Sequence, residues 1–225
     1  MAAAMTDSEQ LTLPPPATPA VLADALADRV SCRRFSEQPL TAEQLATLLH
    51  CGYGIVGRAA MDGFEFPQRP VPSAGACYPL HVFVLCRSVD GIEPGVFYYE
   101  PDSILRTVKV RPPDDVVSRL FFDQEYVGAA AAVIVLAAEW DKTMQRYFDR
   151  GYRYVLFEVG HVGQNIALCA TTLGLGCLST GGFDDSELAI LLGLSGQEVA
   201  PLYALAVGPK AGTGPEETRT PEHSR

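Results

Sequence analysis

Residues 29–35 read RVSCRRF, so Arg29, Ser31 and Arg33 stand at i, i+2 and i+4. In an extended chain these three side chains share one face, because successive side chains alternate. Two guanidiniums and a hydroxyl on one face suit a phosphate, since the planar Arg fork donates paired, charge-assisted hydrogen bonds. Val30 and Cys32 are then expected to face the interior. Read alone, the segment is also a solvated basic turn ahead of the helix at residue 41. Two further stretches combine small residues with few charges: VPSAGACYP at 71–79 and GLGCLSTGGF at 174–183. Glycine lets backbone N–H and C=O groups come close to a flat ligand. Pro72 and Pro79 fix the path on either side of the first stretch. Small-residue loops taken singly are more often plain turns, and these gain weight from their order along the chain with residues 29–35.

In that order the three segments resemble the nitroreductase superfamily of FMN flavoproteins. Arg29, Ser31, Arg33 and Phe35 match the family's Arg-x-Ser-x-(Lys/Arg)-x-(Phe/Tyr) segment, which holds the FMN phosphate. Pro72, Ser73, Ala74 and Gly75 match its Pro-Ser loop, which cradles the isoalloxazine. Ser179, Thr180, Gly181, Gly182, Phe183 and Asp184 match its late Gly-Phe-Asp turn, which runs past the flavin N5. The resemblance covers roughly residues 21–210. It implies an α+β fold with a central, mainly antiparallel sheet flanked by helices, and a homodimer with FMN at the subunit boundary.

Within that superfamily, PSAGACYPLHVFVL, GVFYYEPDSILR and RYFDRGYRYVLFEVGHVGQNIAL look like the SagB-type group. That group includes the azoline oxidases, which form thiazoles and oxazoles in modified peptides. Ala76 and Tyr78 stand where ordinary nitroreductases usually carry the Asn and Gln of PSxxNxQP. Tyr147 matches the Tyr of the group's frequent Lys-Tyr pair, whereas Arg146 replaces the Lys. The resemblance therefore implies Tyr147 as the proton-abstracting base, with Arg146 beside it. A free Tyr has a pKa near ~10 and needs a neighbouring cation to act as a base, which Arg146, Arg150 and Arg153 could supply. The plainer reading makes Tyr147 half-buried packing.

Lys210 is a second candidate for the phosphate, against a solvated lysine at a strand end. Backbone donors from Thr180 to Gly182 are candidates to bond N5. Glu158 is expected to pair with Arg153 or Arg150, and His161 to be a satisfied core residue. No His/Asp/Glu constellation has metal spacing, and no GxSxG motif supports a nucleophile. Three functions follow from the resemblance. The first is an azoline oxidase acting on a peptide or peptide-like substrate, with oxygen reoxidising the flavin. The second is an NAD(P)H-dependent nitro- or quinone reductase. The third is a non-catalytic flavin-binding subunit working with biosynthetic partner proteins.

The elements that must position these residues can be read from pattern. The chain has 225 residues, 48% of them hydrophobic, and a net charge of −10. One domain at residues 18–210 is expected, with a disordered arm at 1–17 and a flexible tail at 211–225. The charge argues against nucleic acid or an anionic membrane as partner. No run approaches ~18 apolar residues, the N-terminus lacks signal-peptide character, and the six scattered cysteines read as reduced thiols, so a cytoplasmic location is expected. Helices are predicted over 18–28, with Val21, Leu22 and Leu26 as the apolar face, and from a Thr41–Gln44 capping box to Gly52. Further helices are predicted at 113–122, 142–149, 152–173 and 184–193. The long one should bury Val155, Leu156, Val159, Val162, Ile166 and Cys169. Its Gly160 and Gly163 permit close approach, either to a second subunit or to the chain's own sheet. Strands are predicted at 81–86, 96–100, 104–109, 131–138 and 202–208, the first three pairing antiparallel. Residues 54–72 are expected to form an irregular loop whose length suggests function.

Overall fold

The computed structural model describes residues 20–61, 63–110, 114–195 and 198–212. The predicted arm at 1–17 lies outside them, as does the tail beyond Gly212. Helix α1 (Ala20–Asp28) leads to α2 (Ala42–Tyr53), and the α2 capping box forms as read. Thr41 Oγ1 accepts from the Gln44 amide at 3.1 Å, and Gln44 Oε1 accepts from the Thr41 amide at 3.0 Å. Residues 54–72 are not an irregular loop, because β1 (Gly57–Met61) and β2 (Phe64–Gln68) pair as an antiparallel hairpin. The GRAAM run of β1 shows no apolar alternation, and Pro67 cuts the Phe-Glu-Phe alternation of β2 to three residues.

The central sheet contains β3 (Leu80–Cys86), β4 (Gly95–Glu100), β5 (Ile104–Val110), β6 (Ala132–Glu139), β7 (Leu175–Thr180) and β8 (Val199–Pro209). Its order is β5-β4-β3-β6-β8-β7, with every neighbour antiparallel. β7 is thus a strand where a glycine-rich loop was expected. The remaining helices are α3 (Asp114–Leu120), α4 (Glu125–Gly128), α5 (Asp141–Tyr147), α6 (Arg150–Thr172) and α7 (Asp185–Leu191), the last capped by Asp184 Oδ1 at 2.9 Å. β6 is buried on both faces, which is why it reads as a continuous apolar run. One face of the sheet packs Val82, Ile134 and Leu205 against Leu45 and Leu48 of α2 and Val155, Val162 and Ile166 of α6. The other packs Phe83, Val133 and Ala204 against Leu120, Val127, Leu188 and Leu191 of α3, α4 and α7. Among the described residues no helix is long and apolar enough to cross a membrane.

Two helix faces depart from the periodicity reading. On α1 the buried residue is Ala25, while Val21, Leu22 and Leu26 are exposed, Val21 by 75%. On α6, Leu156 lies outside with Tyr152 and Phe157 instead of joining the core. The two glycines of α6 separate cleanly. A Cβ on Gly163 would come within 2.7 Å of the Tyr203 ring on β8, so that glycine serves the chain's own sheet. A Cβ on Gly160 would meet nothing within 4 Å.

Candidate active site

The loop between the hairpin and β3 has a strained backbone. Ala74–Ala76 make one 3-10 turn, and Gly75, Ala76 and Tyr78 all have positive φ, at 61°, 53° and 46°. Only the first is a glycine. Side chains in the left-handed region cost about 1 kcal/mol or more each and persist only where surroundings enforce them. The enforcement comes from below. Ser73 Oγ accepts from the Tyr78 amide at 2.9 Å, and the Ser73 side chain also bonds Glu158 of α6. Tyr53 donates to Glu158 Oε1 at 2.8 Å and accepts from the Leu80 amide at 3.2 Å. Glu158 is only 3% exposed, so it does not pair with Arg150 or Arg153 on the outer face of the helix. Burial pushes its carboxyl above the usual carboxylate range, against the opposing effects of Ser73, Tyr53 and the Arg69 charge. Burial and the Glu158 charge push the Tyr53 hydroxyl far up. Arg69 stacks over this assembly, 4.1 Å from the Tyr53 ring and 4.9 Å from the Tyr78 ring, and its Nη1 donates to the Tyr53 carbonyl at 2.7 Å.

From above, α5 closes on the same loop. Arg146 Nη1 donates to the Gly75 carbonyl at 3.1 Å. A Cβ added to Gly75 would lie 2.7 Å from the Tyr147 hydroxyl and 2.8 Å from Arg146 Nη1. Glycine takes the positive φ without strain, and a Cβ there would displace the ends of the Tyr147 and Arg146 side chains. Tyr147 is half-buried, edge-on to Tyr154 at 5.1 Å, and the Arg146 guanidinium lies 5.7 Å from its ring. A cleft of ≈ 780 Å³ opens beside the loop, walled by Phe66 and Gln68 of the hairpin, by Pro70–Ser73, and by Arg146. His161, expected in the core, is exposed on α6 and stands apart from this assembly.

The second expected group assembles at another edge. Ser31 bridges to Cys177 of β7, and Phe35 to Lys210 at the end of β8. Cys32 is buried as expected, but Val30 is 42% exposed, because an isolated bridge leaves its other side uncovered. Ser31 and Arg33 are exposed, Arg29 is half-buried, and Lys210 is exposed one strand spacing away. This donor set, with three cations and a hydroxyl beside open solvent, fits a phosphate. Ser179 and Thr180 end β7, and Gly181 and Gly182 follow in the turn. The Gly182 amide donates to Thr180 Oγ1 at 3.0 Å, so that donor is engaged within the chain. β8 and β6 lie between β7 and β3, so roughly 14 Å of sheet separates this turn from the Pro-Ser loop within one chain. Sequence reasoning singled out neither Arg69 nor the Tyr53–Glu158 pair, which bonds across 105 residues.

The molecule is thus an antiparallel sheet with helices on both faces, carrying a strained small-residue loop and a separate cationic edge. The chain belongs to the nitroreductase family, whose model matches residues 26–209. It is 39% identical over 191 residues to a candidate nitroreductase of Methanocaldococcus jannaschii, MJ1384, covering 84% of this chain and 91% of that protein. It is 34% identical over 148 residues to the microcin B17-processing protein McbC of Escherichia coli, covering 63% of this chain and 54% of McbC. Its fold also superposes on the E. coli microcin synthetase McbBCD complex with truncated pro-MccB17 bound. There the TM-score is 0.68 at 25% identity, over 92% of this chain and 80% of that one.

Proposed function

We propose that this chain is an FMN-dependent oxidoreductase that dehydrogenates azoline rings in a peptide or peptide-like product, with molecular oxygen as the final electron acceptor. The observation behind this reading is the convergence of Tyr147 and Arg146 on Gly75 of the Pro-Ser loop. The similarity to McbC supports it. Arg29, Ser31, Arg33 and Lys210 would hold the FMN phosphate. The loop at Pro72, Ser73, Ala74 and Gly75 and the turn at Ser179, Thr180, Gly181 and Gly182 would flank the ring. When bound, FMN supplies the hydride acceptor for the substrate ring. Tyr147 takes the proton, with the Arg146 guanidinium 5.7 Å from its ring. Partner proteins would deliver the peptide, as the McbBCD neighbour suggests.

The test is aerobic incubation of the FMN-loaded protein with thiazoline- and oxazoline-bearing peptides. Loss of two hydrogens per ring by mass spectrometry is expected. The similarity to the Methanocaldococcus protein favours a second reading, an NAD(P)H-dependent nitro- or quinone reductase. Unchanged azolines together with rapid bleaching of the flavin by NADPH would establish that reading instead. The phosphate site has its own check. Arg33→Ala removes a charge-assisted bond worth about 1.5–3 kcal/mol, so FMN should bind roughly 10- to 100-fold more weakly by fluorescence titration.

A further inference from the structure

The cleft beside the Pro-Ser loop is charged in one sense only. Its lining consists of Phe66, Gln68, Arg69, Pro70, Val71, Pro72, Ser73, Gly75, Ala76, Tyr78 and Arg146, which includes two guanidiniums and no carboxylate, in a chain of net charge −10. Glu158, bonded to Ser73 behind the loop, is buried, and that burial favours its neutral form. Among the described residues neither guanidinium is paired with an acid. Arg69 is clamped between the Tyr53 and Tyr78 rings, with Nη1 committed to the Tyr53 carbonyl and Nε closed off from solvent without an acceptor. Arg146 is tied by Nη1 to the Gly75 carbonyl. Each is therefore fixed in place by one backbone oxygen and retains donors for something else. A guanidinium nitrogen shut off from water without an acceptor, as Arg69 Nε is, is costly unless an anion offsets it, and the exposed Arg146 adds a second positive charge at the same cleft. The remaining walls, Phe66, Tyr78 and the prolines, are flat and apolar.

We propose that this cleft is a carboxylate-recognition subsite, taking a ring-bearing substrate whose free carboxylate bridges Arg69 and Arg146. This deepens the proposed function by naming the substrate's chemical class: a free acid in place of an internal, amide-blocked ring. A carboxylate matches the Arg fork, whereas a carboxamide presents an N–H₂ donor to a donor and is rejected.

The experiment measures binding of benzoate and of benzamide to the FMN-loaded protein by calorimetry, which needs no turnover and no azoline. Benzoate should bind at least 10-fold more tightly than benzamide. Arg69→Met and Arg146→Met should each abolish that preference while retaining FMN, and Arg69→Lys should retain part of it. Equal binding of the two probes, or a preference that survives both Met variants, would overturn the proposal. Loss of FMN from both Met variants would also overturn it, because the guanidiniums would then serve the cofactor. Since turnover is not measured, the carboxylate preference can hold even if azolines prove not to be substrates, and the two readings fail separately.

Discussion

Tyr147 sets its hydroxyl against Gly75, where an added Cβ would lie 2.7 Å from that oxygen. If it takes the substrate proton, Tyr147→Phe slows flavin reduction by substrate about 10²–10⁴-fold, the usual range for general acid–base catalysis. FMN content stays unchanged, since the residues proposed to hold the phosphate lie at the β7 edge of the sheet. Stopped-flow absorbance isolates that half-reaction, and reduction at the parental rate would make Tyr147 packing only. Glu158 invites a pH test. A buried acid with a raised folded pKa binds its proton more tightly than the unfolded chain does. Its contribution to stability is therefore present at low pH and lost as pH rises through the raised value. Urea midpoints of the parent should fall relative to those of Glu158→Gln from about pH 4 upward. Parallel curves for the two proteins would mean that Glu158 is ionised in the fold as readily as outside it.

At the scale of elements, the two glycines of α6 make opposite predictions. Gly163→Ala drives a methyl into the Tyr203 ring and should lower the melting temperature despite the better helix propensity of alanine. Gly160→Ala meets nothing within the chain and should raise stability by up to about 1 kcal/mol. Thermal melts of the two variants decide both, and identical shifts would show that packing on β8 is not what distinguishes them. Elements with strong local signals were legible in the sequence. The α2 capping box and the apolar runs of β3 and β6 stand where pattern puts them. The hairpin at 57–68 and β7 were not legible, because glycine, alanine and a proline give no alternation, and because β7 is held by pairing with β8 and not by its own propensity. The cationic edge was legible as spacing, since Cys32 does turn inward between Ser31 and Arg33. The support beneath the Pro-Ser loop was not, because Tyr53, Arg69 and Glu158 come from three separate elements and meet only through tertiary packing.

For the whole molecule, the question is what covers the apolar residues left outside. Val21, Leu22 and Leu26 of α1 are exposed together, and Tyr152, Leu156 and Phe157 project from α6, against which α1 packs. Bare Gly160 lies on an exposed stretch of α6. Exposed apolar residues grouped on two packed helices mark a candidate interface. The sheet leaves the Pro-Ser loop and the β7 turn some 14 Å apart within one chain, so a flavin site that uses both calls for a second copy. We expect a homodimer. Sedimentation at micromolar concentration should give about twice the 24.2 kDa chain mass. Leu26→Glu buries a charge at the interface and should shift the species toward monomer, with FMN lost in parallel because the site is shared. A parent protein that sediments as a monomer while holding FMN would refute the shared site. A Leu26→Glu dimer that keeps its flavin would move the interface away from α1.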